Sequence, residues 1–238
     1  MDLRTSALSV LACLLPSLVF LVFVYSRDRR KHEEPGYVTL TFVAGMFAAA
    51  VAFFLFQGLG LLHVYHSLVE GRSRDDTAQL AFFLAVVGPV EETLKLSAVA
   101  LTAGRIGSLD EPADGILYST AAALGFATSE NWYAMFATGG PDMGRAAVVP
   151  FVHMLFSAFF GWGLGRSLMC RQCSWPVYLG LALAAAYHGL YDVLEYHGGL
   201  WHFATMPVVA LLWFFLTRSM AGFVRLPLMG GGAGIRRS

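Results

Sequence analysis

The sequence predicts an all-α bundle of about seven transmembrane helices, and three observations lead there. Hydrophobic residues make up 57% of the 238 and charged residues 13%, with a mean hydropathy of +0.61, whereas about 25% of a soluble domain is charged. The apolar residues gather into seven stretches, each long enough to cross about 30 Å of hydrocarbon at about 1.5 Å per residue. Lys and Arg are distributed unevenly among the connections between them. A formal net charge of zero and a pI near 7.1 give no sign of a nucleic-acid partner. The partners expected are a lipid bilayer and a membrane-anchored protein.

The first stretch, 6–25, follows Arg4 and has no A-x-A-like cleavage signal before the basic run, so it reads as an uncleaved helix with Cys13 as a buried thiol. The second, 38–62, stops near Gly58 or Gly60 and leaves His63 and His66 at the interface. The others cover 79–103, 113–137, 146–168, 175–196 and 200–217. Gly161, Gly163 and Gly165 in the fifth read as a surface for close helix approach. Cys13, Cys170 and Cys173 are too few and too uneven for a disulfide framework, and one C-x-x-C pair cannot close a tetrahedral zinc site. Residues 1–238 thus form one integral-membrane domain, with 79–196 as a four-helix core and 218–238 as a flexible cytoplasmic tail.

Orientation follows from positive charge. With the N-terminus outside, the inner connections hold Arg27, Arg29, Arg30, Lys31, Arg105, Arg166, Arg171, Arg218, Arg225, Arg236 and Arg237. The outer ones hold only Arg4, Arg72, Arg74 and Arg145. That bias obeys the positive-inside rule. Short loops and a compact chain suit the bacterial plasma membrane.

Against this apolar background the ionisable residues stand out. Glu91, Glu92 and Lys95 interrupt the third stretch, and each charge at mid-bilayer costs at least about 2.5–3.5 kcal/mol on insertion scales. Lys95 is four residues from Glu91 and three from Glu92, so on a helix it can neutralise either. The i to i+4 pair with Glu91 is the favoured one, which leaves Glu92 as the expected base. Pro89 is expected to kink the helix just before them. The fourth stretch adds Glu130 and Asn131, the fifth His153, and the sixth His188 with Asp192 four residues on. At about 1.5 Å per residue, Glu91 and Glu92 lie about 18 Å from the outer end, His153 and Glu130 about 10 Å, and His188 about 12 Å. The five can meet in one cavity opening outward. Asp114, Tyr118 and Glu195 are candidate supports for that cavity, with Asp114 and Glu195 near enough to an interface to be solvated instead.

Such a set can hydrolyse a peptide bond. A Zn²⁺ held by two histidines and a carboxylate lowers the pKa of its water to about 7, and a free glutamate can take the proton. The ligand inventory is Glu130, His153 and His188, with Asp192 as fourth ligand or support. Glu91 and Glu92 remain as base and supporting acid, Lys95 holds one of them, and Asn131 can donate to an oxyanion. A mechanism built on the two glutamates alone would need no metal. Intramembrane Glu, His and Asp also build proton relays, so a proton-coupled transporter or channel is the alternative from another class. A catalytically inactive scaffold is a third.

Glu91-Glu92-x-x-Lys95, Phe126-x-x-x-Glu130-Asn131, His153 followed by Ser157, and His188-x-x-x-Asp192 resemble, in order, the motifs of the PrsW family of intramembrane proteases. That family is related to the type II CAAX prenyl proteases, which have a histidine where this chain has Glu130. The resemblance runs from Pro89 to Asp192. It implies metal-dependent cleavage of a membrane-anchored protein, such as an anti-sigma factor, near the extracytoplasmic face.

Overall fold

Each apolar stretch folds as a helix. The computed structural model describes residues 3–27, 33–58, 76–138, 140, 142–170, 173–197 and 199–225. Among them are seven helical runs and no strand. They are α1 (Leu3–Arg27), α2 (Pro35–Gly58), α3, α4 (Pro112–Thr138), α5 (Met143–Met169), α6 (Trp175–His197) and α7 (Leu200–Arg225). The third, α3, is continuous but irregular. Asp76–Phe82 leads into a π-helical turn at Phe83–Val87, then Gly88–Val99, then a second π-helical turn at Ala100–Gly104. The expected break at Pro89 takes this form. The proline ring displaces the carbonyl one turn back, and the backbone absorbs it as a π-bulge without ending the helix. α7 runs on to Arg225, so the segment from 218 begins as helix and not as tail. Residues 226–238, His63 and His66 lie outside the described residues.

Five helices (α1, α2, α5, α6 and α7) are long and apolar enough to cross a membrane by length and composition. The other two, α3 and α4, carry Glu91, Glu92 and Lys95, and Asp114 and Glu130. These two helices bring most of the charge inside.

α4 is the axis of the bundle. It is buried from Ala113 to Thr128 on every side and packs on α5, α2 and α1. Its run Ala121-Ala122-Ala123-Leu124-Gly125 presents little side chain, so neighbouring backbones come close. A Cβ on Gly125 would strike the Phe42 carbonyl of α2, and one on Gly161 of α5 would strike the Gly115 carbonyl of α4. Gly163 and Gly165 meet the carbonyls of Pro176 and Pro112, so this glycine stretch does admit close approach. Ile116, Leu117, Phe126, Leu155, Phe156 and Phe160 fill the core. The outer faces of α1, α2 and α7 expose Leu15, Val22, Phe47, Phe54, Phe203 and Phe214, an apolar perimeter suited to lipid and ill suited to water.

Cys13 is fully buried and donates its thiol to Met135 Sδ at 3.3 Å. Cys170 and Cys173 close a disulfide where α5 ends, a pairing that the count of three cysteines did not suggest.

Candidate active site

The site begins where α3 and α6 touch. Gly88 lies against the Ala185 carbonyl and Gly189 against the Phe83 carbonyl, and a Cβ at either position would occupy the other helix's backbone. This contact lies beside Glu91 and Glu92 on α3 and His188 on α6. It brings those side chains within hydrogen-bonding reach.

Glu92 is the hub. Its Oε1 accepts from Lys95 Nζ at 2.6 Å and pairs with His188 Nδ1 at 2.8 Å, while its Oε2 accepts from Ser157 Oγ at 2.7 Å. Lys95 Nζ also meets His153 Nδ1 at 2.7 Å and lies 4.4 Å from the centre of the Phe126 ring. Both Glu92 and Lys95 are completely buried. The sequence favours Glu91 as the lysine's partner, but the structure reverses the order. Glu92 makes the short pair, and Glu91 lies 3.7 Å from Lys95. The i to i+4 preference describes exposed helix faces. Here α3 is rotated so that Glu92 points at α5 and α6, and Ser157 and His188 complete its hydrogen bonds.

With their Nδ1 atoms engaged, both histidines keep Nε2 for other partners, and carboxylates approach each. Glu130 Oε2 lies 3.0 Å from His153 Nε2. Glu91 Oε2 lies 3.7 Å and Asp192 Oδ2 3.5 Å from His188 Nε2. Glu91 Oε2 is buried and makes no hydrogen bond. The rings are held by stacking, His153 on Phe126 and His188 on Phe156.

Exposure rises steadily across the cluster. The side chains of Lys95 and Glu92 are 0% exposed, His188 3%, His153 5%, Glu91 12%, Asp192 24% and Glu130 32%. Glu130 Oε1 pairs with Arg145 at 2.6 Å at the rim. The mouth therefore lies where α4 ends and α5 begins, the end reckoned as outer from the charge bias.

Glu91, Glu92, Lys95, Glu130, His153, His188 and Asp192 all come together. Asn131 stands apart. Its amide donates to the Ala146 carbonyl at 3.4 Å, tying α4 to the start of α5 instead of facing the histidines. Asp114 and Tyr118 are at the other end of α4 and do not support this cavity; Asp114 is 1% exposed and not solvated. Two participants were not among the expected site residues. Ser157 is four residues after His153 and so shares its face, a signal present in the motif. Arg145 reaches Glu130 from another helix, and no local pattern announces it.

The donor set fits a metal. Glu91, His153 and His188 each offer one ligand atom, and the three atoms lie within 4.8 Å of one another. Glu130 and Asp192, expected as ligands, flank that group without belonging to it. Glu92 pairs with Lys95 and Glu130 with Arg145, while Asp192 approaches His188.

Residues 33–218 match the family model described as PrsW family intramembrane metalloprotease. The chain belongs to this family. It is 28% identical over 207 residues to Protease PrsW of Shouchella clausii (strain KSM-K16), covering 86% of this chain and 91% of that one. Identity is 29% to Protease PrsW of Halalkalibacterium halodurans over 85% of this chain and 90% of the relative. It is 24% to that of Bacillus subtilis (strain 168), over 86% and 90%. No solved structure is significantly similar to the chain. Family membership bears out the intramembrane protease expected from the motifs and favours it over a transporter. The PrsW-type site uses a metal and acts on a membrane protein.

Proposed function

We propose that this protease cleaves a membrane-anchored protein near the extracytoplasmic face of the bacterial plasma membrane, with Zn²⁺ as its metal. An anti-sigma factor is the substrate class that the motif resemblance implies. The observation carrying the proposal is the convergence of one ligand atom each from His153, His188 and Glu91, which also has a buried, unbonded oxygen, beneath a mouth formed by Glu130, Arg145 and Asp192.

His153, His188 and Glu91 hold the metal in this reading, a His₂Glu set typical of catalytic zinc with one position left open. The bound ion supplies a Lewis acid that activates water and polarises the scissile carbonyl. The other residues position groups and move protons. Glu92 fixes the orientation of His188 through Nδ1, the second-shell role carboxylates play behind metal-binding histidines, and Lys95 does the same for His153. Glu130, whose Oε1 is held by Arg145 and whose Oε2 lies 3.0 Å from His153 Nε2, takes the proton of the attacking water and passes it to the leaving amine. Asp192 borders the open position. Asn131 positions Glu130 by fastening α4 to α5. Depth supports this. About 12 Å separates Glu130 from the end of α4, and about 15 Å separates His153 from the start of α5, so a substrate must bend or unwind to reach them.

The test separates ligand from base. Glu91→Gln, His153→Ala and His188→Ala should each lose the zinc found by elemental analysis of purified protein. Glu130→Gln should keep it and lose cleavage by about 10²–10⁴-fold. A Glu130→Gln protein that loses zinc, or a metal-free protein that cleaves, would overturn the assignment.

A further inference from the structure

At the opposite end of α4 lies a second cluster of acids that peptide hydrolysis does not use. Glu33 precedes α2, Asp110 lies in the α3–α4 connection, and Asp114 is in the first turn of α4. One carboxylate oxygen from each lies within 4.8 Å of the others. Asp114 and Glu130 are separated along α4 by about 24 Å at 1.5 Å per residue, so this cluster is not an extension of the active site.

Part of its bonding is accounted for. Asp114 Oδ2 accepts from the backbone N–H groups of Asp110 at 3.0 Å and Glu111 at 2.5 Å, capping the start of α4. Glu33 Oε2 accepts from Tyr118 at 2.5 Å, and the Glu33 carbonyl accepts from Tyr25 at 2.8 Å. The other two oxygens have nothing. Glu33 Oε1 and Asp114 Oδ1 are buried without a hydrogen-bond partner, on side chains of residues 4% and 1% exposed. Among the described residues no Lys or Arg pairs with Glu33 or Asp114. A buried carboxylate oxygen left unpaired is costly, and here two belong to acids that approach each other and a third.

From this geometry we infer a hard divalent-cation site, for Ca²⁺ or Mg²⁺, formed by Glu33, Asp110 and Asp114. All three donors are carboxylate oxygens, the ligands such ions prefer. Ligands across a Ca²⁺ ion stand about 4.6–5.2 Å apart and across Mg²⁺ about 4.0–4.2 Å, so three oxygens within 4.8 Å of one another are close enough to share either ion. Asp110 is exposed, which gives the ion an entry path and leaves positions for water. The ion joins the chain before α2 to the α3–α4 connection and the first turn of α4, bracing the central helix at the end away from catalysis.

The experiment is isothermal titration of Ca²⁺, and separately of Mg²⁺, into the detergent-purified, chelator-treated full chain carrying His153→Ala and His188→Ala. Those changes remove uptake at the active site. About one ion per chain is expected, with affinity reduced by at least about tenfold in Glu33→Gln and Asp114→Asn. Asp114→Asn keeps the capping oxygen, and Asp110→Asn, on the exposed side, serves if either buried variant fails to fold. The bound ion should also raise the Tm of the zinc-loaded wild type but not of Asp110→Asn. No uptake of either ion by folded protein would mean that the acids share protons, which overturns the site. Uptake unchanged in all three variants overturns it equally.

Discussion

Glu92 and His188, on different helices, meet at 2.8 Å through Oε1 and Nδ1, and the same oxygen accepts from Lys95 at 2.6 Å. The acid of the adjacent pair that looked free to do chemistry is the one locked in place. Glu91, the neighbour expected to be neutralised, keeps an oxygen with no hydrogen bond. This exchange of roles underlies the first two predictions.

Glu92→Gln keeps the size of the side chain but removes the charge behind His188. Loss of a second-shell carboxylate typically weakens metal binding 10–100-fold. Zinc competition against a fluorescent chelator should show a drop of about that size, with helical content by circular dichroism unchanged. Wild-type affinity would place Glu92 outside the supporting role.

Lys95→Met leaves Glu92 buried and without its cation. Breaking a buried pair from one side costs about 3–5 kcal/mol, so the variant should unfold at much lower temperature or fail to accumulate. The double change Glu92→Gln with Lys95→Met removes both charges and should recover much of that loss. Thermal unfolding of all four proteins in detergent gives the coupling as a double-mutant cycle, and additive effects would contradict the pairing.

Gly189→Leu should separate α3 from α6, because its side chain would fall on the Phe83 backbone. Overpacking of this kind costs about 1–3 kcal/mol and here also pulls His188 away from Glu92. Zinc affinity should fall along with Tm. Gly36→Ala, where nothing lies within 4 Å, is the control and should change neither. Equal behaviour of the two variants would show that the close approach is not what positions the histidine.

Membrane orientation is checked by single cysteines in a background without Cys13, Cys170 and Cys173. Asp142→Cys, at the N-cap of α5, should react with an impermeant maleimide from outside intact cells, while Ser174→Cys, just before α6, should not. The reverse labelling would move the mouth of the site to the cytoplasmic side.

Much of this was legible in the sequence because lipid penalises charge. In an apolar background Glu91, Glu92, Glu130, His153, His188 and Asp192 each stood out, and helical rise put the first five in the middle or outer half of the bilayer. What the sequence hid depends on helix rotation and on contacts between helices. Spacing on α3 favoured Glu91 for Lys95, but Ser157 and His188 arrive from α5 and α6 and claim Glu92. Arg145 looked like an outer-loop charge until α5 brought it to Glu130. Asp114 looked solvated or part of the cavity, because Glu33, its neighbour across the fold, sits in a loop that no periodicity marks. Asn131 follows Glu130 directly, but the 100° step of a helix turns it to Ala146.

The charge carried by α3 bears on how the protein is made. Alone in a bilayer, α3 would expose Glu91, Glu92 and Lys95 to lipid, each at a penalty of about 2.5–3.5 kcal/mol or more. Glu92 and Lys95 pair within α3 itself, but their other hydrogen bonds come from Ser157, His153 and His188 on α5 and α6. α3 precedes both in the chain, so it must wait, partly inserted or sheltered by other proteins, until they are synthesised. Residence of α3 in the membrane and completion of the catalytic cluster are therefore the same event. Lesions in His188 or Ser157 should be read out by the cell's quality control before they are read out as lost proteolysis.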